Sequence, residues 1–284
     1  MQPSFRTLLI LGRISNLPTV WSNCLAGWWL GGAGHHGSLP FLLAGTTCLY
    51  TGGMFLNDAM DAEFDRLHRK ERPVPSGAIG LEILWKWGLS WLGVGGLCLI
   101  WLGPTTGCLG VLLIVTILLY DAVHKRIRFG PILIGICRFF LYVIAASVAN
   151  NGVTGRSIWC GLALASYVIG LSFFARGESI HRKLHYWPAF LIATPILLAL
   201  LMDNNGYREA GLLLSAVLGL WTLRALRQTL WSKEPKISLT VSWLLAGIVF
   251  VDLLAVGDAP RLLSGIFIAL FLTALSLQQV VPAT

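Results

Sequence analysis

Apolar stretches about as long as a bilayer crossing recur from one end of this chain to the other, and they leave its backbone one option. They run near residues 14–33, 39–57, 83–103, 105–122, 131–149, 157–175, 187–202, 209–229, 237–256 and 261–280. About 20 helical residues span a hydrocarbon core. Lipid offers no partner for an open N–H or C=O, so a helix, which satisfies both internally, is the state such runs must take. Only 12% of the 284 residues are charged, against about 25% in soluble domains. The expectation is an all-α, polytopic transmembrane bundle of 9–10 helices forming a single domain over residues 1–284. The first stretch lacks a small-residue cleavage pattern and carries Asn16, Pro18 and Asn23. It reads as a retained helix rather than a signal peptide.

Charge gives the bundle a direction. With alternate loops assigned to alternate sides, 17 of the 21 Lys and Arg residues fall on the side of the N-terminus. Arg13, Arg66 to Arg72, Lys125 to Arg128, Arg176 to Lys183 and Arg224 to Lys236 mark its loops. The positive-inside rule makes that side cytoplasmic, which suits a bacterial inner membrane. The net charge of +8 then reflects topology and contact with anionic lipid headgroups. No basic stripe alternates with aromatics outside the apolar runs, so nucleic acid is not an expected partner.

The second apolar run ends in Asn57-Asp58-Ala59-Met60-Asp61-Ala62-Glu63-Phe64-Asp65, four acids in eight residues. At about 100° per residue, Asp58, Asp61 and Asp65 share one helical face with Asn57 at its border. Like charges so placed repel. A divalent cation removes the conflict, and carboxylate oxygens suit Mg²⁺ shared with substrate phosphates. Arg66 to Gly77 follows, mixing cations with two helix-stopping prolines. Acids for Mg²⁺ beside cations for phosphate oxygens are what a metal–diphosphate ligand needs. A solvated loop laced with salt bridges is the plainer alternative.

Asn57-Asp58-x-x-Asp61-x-x-x-Asp65 followed by Arg72-Pro73-x-Pro75-Ser76-Gly77 resembles the first aspartate-rich motif of the UbiA superfamily of intramembrane prenyltransferases. Arg13 to Thr19, Tyr120-Asp121-x-x-x-Lys125-Arg126 and Gly135-x-Cys137-Arg138 resemble further family segments in order. The resemblance implies a polar cavity facing the cytoplasm and Mg²⁺-dependent transfer of a prenyl group from a polyprenyl diphosphate. The acceptor would be a small hydrophobic molecule, aromatic or quinone-like. It also implies that Asp58, Asp61 and Asp65 hold the metal and carry catalysis. Asn57, Arg72, Tyr120 and Lys125 would contact the diphosphate, with Asn16 in the polar cavity.

Three positions stand apart from the motif. Arg138 lies about seven residues into its span, where a charge is costly and usually faces a partner in the bundle. A carboxylate or phosphate near the motif is one candidate partner; snorkelling to the interface is the other reading. Asp252, near the outer end of its span, is expected to meet a backbone group or water. Family members usually carry a second motif, D-x-x-x-D, after the sixth helix. Here that place reads Ala175-Arg176-Gly177-Glu178-Ser179-Ile180-His181-Arg182-Lys183. Glu178 would help hold a metal and Arg176 would replace a second one against the diphosphate. Glu178, His181 and His185 could instead align as a transition-metal site if a helix continued through them. The thin second motif also leaves a rival in another class, a non-catalytic membrane protein that binds or carries an isoprenoid lipid.

Overall fold

The computed structural model describes residues 4–34, 36–125, 127–180, 186–202, 205–232 and 236–282, apart from the side chains of 177–180 and 205–206. Twelve α-helices follow one another among them: α1 Phe5–Leu11, α2 Leu17–Leu30, α3 Leu39–Met60, α4 Ala62–His68, α5 Leu81–Trp101, α6 Pro104–Val123, α7 Gly130–Ser147, α8 Gly155–Ile180, α9 Pro188–Leu201, α10 Asn205–Leu230, α11 Ile237–Ala255 and α12 Arg261–Val280. Each of the ten apolar stretches is one of these helices. Eight of the helices are long and apolar enough to cross a membrane. The shorter two are α2 and α9, of 14 residues each. Leu97, Trp101, Leu201, Leu213 and Leu262 stand more than two-thirds exposed on the bundle, a surface that only lipid solvates well.

α2 is short because it is a core element. Nearly all its residues are buried, and it packs on α7, α11, α12 and α3. Gly27 makes that approach possible: a Cβ there would stand 2.5 Å from the Tyr142 carbonyl oxygen of α7. The neighbouring atom is backbone and cannot swing aside. Gly27→Ala is therefore expected to destabilise the bundle by about 1–3 kcal/mol, read as a lower thermal midpoint in detergent. Trp28 is 4% exposed and packs beside His36.

Two polar ends confirm the alternation read from the loops. At one end, Asn150 and Asn151 donate backbone N–H bonds to the Ala33 and Gly31 carbonyls. There Arg156 also clasps Asp258 through both guanidinium nitrogens, at 2.6 and 2.9 Å. At the other end lie Arg13, the α3–α5 connection and the α6–α7 loop, joined by the ion pairs described next.

Between the ends, the bundle hides a polar chain. Asp252 is fully buried and accepts hydrogen bonds from Ser22 Oγ, from Tyr142 Oη and, at 2.7 Å, from Asn23 Nδ2. Asn23 Oδ1 accepts from Arg138 at 2.7 Å. The expectation of a backbone or water partner for Asp252 is thus corrected: α2, α7 and α11 converge on it with side-chain donors. Arg138 is 8% exposed, so it faces inward rather than snorkelling.

Candidate active site

The acidic face survives the end of its helix. Asp61 caps α3 and starts α4 with helical dihedrals. The backbone bonds Asp61 N–H to Asn57 O and Asp65 N–H to Asp61 O, both 2.9 Å, carry the register through. Asn57, Asp58 and Asp65 are therefore buried together, at 4%, 6% and 4% exposure, with Asp61 beside them.

Cations from three separate segments close over this face. Arg13 occupies a left-handed conformation, φ 42° and ψ 50°, which strains a non-glycine residue by about 1–2 kcal/mol. Its carbonyl accepts from Tyr50 Oη at 3.3 Å. Its guanidinium reaches Asn57 Oδ1 at 3.4 Å and Asp58 Oδ1 at 3.6 Å. Arg72 arrives through a tight turn: Ser76 N–H bonds Arg72 O and Ala78 N–H bonds Pro73 O. Val74 and Ile79 pin this turn against Leu11, Phe55, Ala59 and Leu84, and Arg72 meets Asp58 Oδ1 at 3.7 Å. Lys125, just past α6, lies 2.8 Å from Asp61 Oδ1, 3.8 Å from Asp65 Oδ1 and over the Phe64 ring.

Three partners escaped the reading of the sequence. His124 stacks on Tyr120 and points Nε2 at Asp61 Oδ2, 3.6 Å away. Arg13 stood in the sequence only as a loop cation and as the first residue of the Arg13 to Thr19 segment. Asp121 accepts from Asn57 Nδ2 at 3.0 Å. The signal available for both α6 residues was position: each sits beside Tyr120 or Lys125 at the end of a run with no other charge. Burial pushes the Asp61 carboxyl up, but the bonds and charges of His124 and Lys125 outweigh it and hold Asp61 below the ordinary carboxylate range. A depressed folded value means these pairs contribute stability above the unfolded pKa of about 3.9 and lose it as pH falls through the folded one.

Of the remaining expected residues, Asn16 is buried at the start of α2. Arg138 is turned to Asn23, with Tyr50 between it and Arg13. Arg176 donates to the carbonyls of His124, Ile127 and, at 2.8 Å, Arg128. It therefore ties α8 to the loop that carries Lys125. Removing it as Arg176→Leu strips these carbonyls of a charged donor, each such bond contributing about 1.5–3 kcal/mol. Faster hydrogen exchange across residues 124–128 is the expected result, with α3 unchanged. The Glu178 side chain and residues His181 to His185 lie outside the described residues.

The donor set suits one kind of metal site. Among the described residues, no three Asp, Glu, His or Cys side chains converge on a point. Each carboxylate is instead turned toward a cation. A hard cation held by protein alone would not fit. Mg²⁺, which usually keeps waters and takes one or two carboxylates plus phosphate oxygens, fits Asp58, Asp61 and Asp65.

The chain and its fold both have known relatives. The chain is 35% identical over 83 residues to the digeranylgeranylglyceryl phosphate synthase of Ignicoccus hospitalis, covering 29% of this chain and 27% of that one. It is 29% identical over 131 residues to the synthase of the same name from Sulfolobus acidocaldarius, covering 46% and 43%. The matched stretches thus span less than half of each relative's length. A solved structure concerned with digeranylgeranylglyceryl phosphate synthase in membranes superposes with a TM-score of 0.61 at 17% identity, over 95% of this chain and 98% of that one. A UbiA homolog from Archaeoglobus fulgidus bound to GPP and Mg²⁺ superposes at 0.56 and 14% identity, over 95% and 99%. These two likenesses establish the fold. Residues 17–281 match the UbiA prenyltransferase family, and the chain belongs to that family.

Proposed function

We propose that this membrane protein is a Mg²⁺-dependent prenyltransferase that takes an isoprenoid diphosphate donor at the Asp58–Asp61–Asp65 face. The observation that carries the reading is the interlacing of that face with Arg13, Arg72, His124 and Lys125 at one end of the bundle. Its pairs can be exchanged rather than simply broken: a carboxylate trades its cation for a metal, and the freed cation takes a phosphate oxygen. Bound Mg²⁺ would be held by Asp58, Asp61 and Asp65 and would supply positive charge against the leaving diphosphate.

Arg13, Arg72 and Lys125 bind the diphosphate oxygens that gain charge as the allylic C–O bond breaks and its electron pair departs with the diphosphate. The apolar bundle excludes water that would trap the allylic cation. A nucleophilic acceptor forms the new bond to that carbon and loses a proton. The basic bias of the surrounding loops supports a cytoplasmic setting for this end of the bundle.

An aromatic or quinone-like acceptor follows from the family at large. The relatives' named product is a glyceryl phosphate, which favours the hydroxyl of a phosphorylated glycerol lipid. Labelled geranylgeranyl diphosphate, offered with either acceptor class to purified protein, tests both steps. Label should pass into the glycerol phosphate lipid, and Asp58→Ala/Asp61→Ala should abolish it. Transfer to aromatics alone would reverse the acceptor assignment. Donor binding with no transfer to either class would favour a non-catalytic isoprenoid carrier.

A further inference from the structure

Asp121 sits in the last turn of α6, a helix otherwise free of charge. It is 4% exposed. Oδ1 accepts from Asn57 at 3.0 Å, while Oδ2 is buried with no hydrogen-bond partner. A carboxylate oxygen left in that state is costly, and buried charges are normally paired or bound to a metal. Its surroundings say which. Asn57 is the first residue of the acidic motif. The charged groups facing Asp121 are Asp61 on the α3–α4 junction, His124 one turn along its own chain and Arg13 before α2. Asp121 therefore joins the acidic face from α6, with one oxygen bonded to Asn57 and the other without a hydrogen-bond partner.

The sequence points the same way. The segment after the sixth span holds a single acid, Glu178, among basic residues, so the site is short of carboxylate on that side. We propose that Asp121 is a further ligand-bearing carboxylate of the metal–diphosphate centre, contributed by α6. Its free oxygen would take a cation shared with Asp61, the carboxylate of that face that acts on it, while Asn57 fixes its orientation through the other. This rests on the function proposed above.

The test uses purified full-length protein, with Mn²⁺ as the metal and geranyl S-thiolodiphosphate as an unreactive donor. Mn²⁺ binding is read by electron paramagnetic resonance, and the thermal midpoint is measured in chelator. Asp121→Asn keeps the shape and the bond to Asn57 but removes the charge. It should weaken Mn²⁺ binding about 10–100-fold while leaving the chelator midpoint equal or higher, since an unpaired buried charge is gone. Asp121→Glu should recover part of the binding. A structural carboxylate would behave oppositely, lowering the midpoint and sparing the metal. Wild-type affinity in Asp121→Asn, with loss in Asp58→Ala, would overturn the Asp121 assignment and leave the site reading standing. Wild-type affinity in both would overturn the two together. An Asp121→Asn protein that failed to fold would mark the carboxylate as structural and defeat the proposal.

Discussion

Asp61→Asn is expected to cut prenyl transfer by roughly 10²–10³-fold, the scale seen when one preorganised electrostatic group is taken from a transition state. Asp61 is the hub of its side of the site. It holds Lys125 at 2.8 Å and faces His124 at 3.6 Å. Asn keeps the shape but loses the charge that Lys125 and a metal require. The loss should fall mainly on kcat, because Arg13 and Arg72 still address the diphosphate from the Asp58 side. Donor affinity should therefore weaken far less than turnover. Steady-state kinetics alongside donor titration separates the two. A variant with full turnover would remove Asp61 from the chemistry, and a loss confined to donor retention is what a carrier would show. Because Asp61 is held below the ordinary carboxylate range, it stays anionic at neutral pH. An acid limb of activity between pH 5 and 7 would belong to another group.

Asp252→Leu is expected to destabilise the bundle by about 3–5 kcal/mol, the scale of breaking a buried charge arrangement by removing one partner. Ser22, Asn23 and Tyr142 would lose their shared acceptor. Arg138, held through Asn23, would lose the anion nearest to it along this chain of bonds. A fall in thermal midpoint on the order of 10 °C in detergent is the corresponding observable. Asp252→Asn should cost less, since an amide oxygen still accepts. Adding Arg138→Met should restore part of the Asp252→Leu loss, because the stranded cation goes with its anion. Simple additivity of the two losses would mean that Arg138 and Asp252 are not coupled.

Those pairings mark where the sequence stopped being readable. The ten apolar helices were legible because hydropathy over about 20 residues is a local property. The acidic face was legible for the same reason: Asp58, Asp61 and Asp65 follow one another at helical spacing, and the backbone keeps that register through Asp61. Lys125 and Arg72 came from motif resemblance, and both meet the acids. What no local pattern carries is which helix packs on which. Asn23, Arg138 and Asp252 lie more than a hundred residues from one another, and only the convergence of α2, α7 and α11 joins them. Arg176 illustrates the same limit. Near the end of α8 its guanidinium reaches carbonyls of the loop after α6, a packing that no local pattern carries. α2 matches its apolar stretch, but that it is buried on nearly every side, with Gly27 against the Tyr142 carbonyl, is again a matter of packing.

The central claim is that Asp58, Asp61, Asp65 and their cations make a working diphosphate-ionising centre, although the end of α8 and the loop after it carry only one acid, Glu178. Release of inorganic diphosphate by the purified protein, given geranylgeranyl diphosphate and an acceptor with Mg²⁺ or with chelator, tests it most directly. The account predicts Mg²⁺-dependent release matched one-for-one by prenylated product, and none from Asp58→Ala/Asp61→Ala. Equal release by wild type and that variant, with donor bound by both, would contradict it.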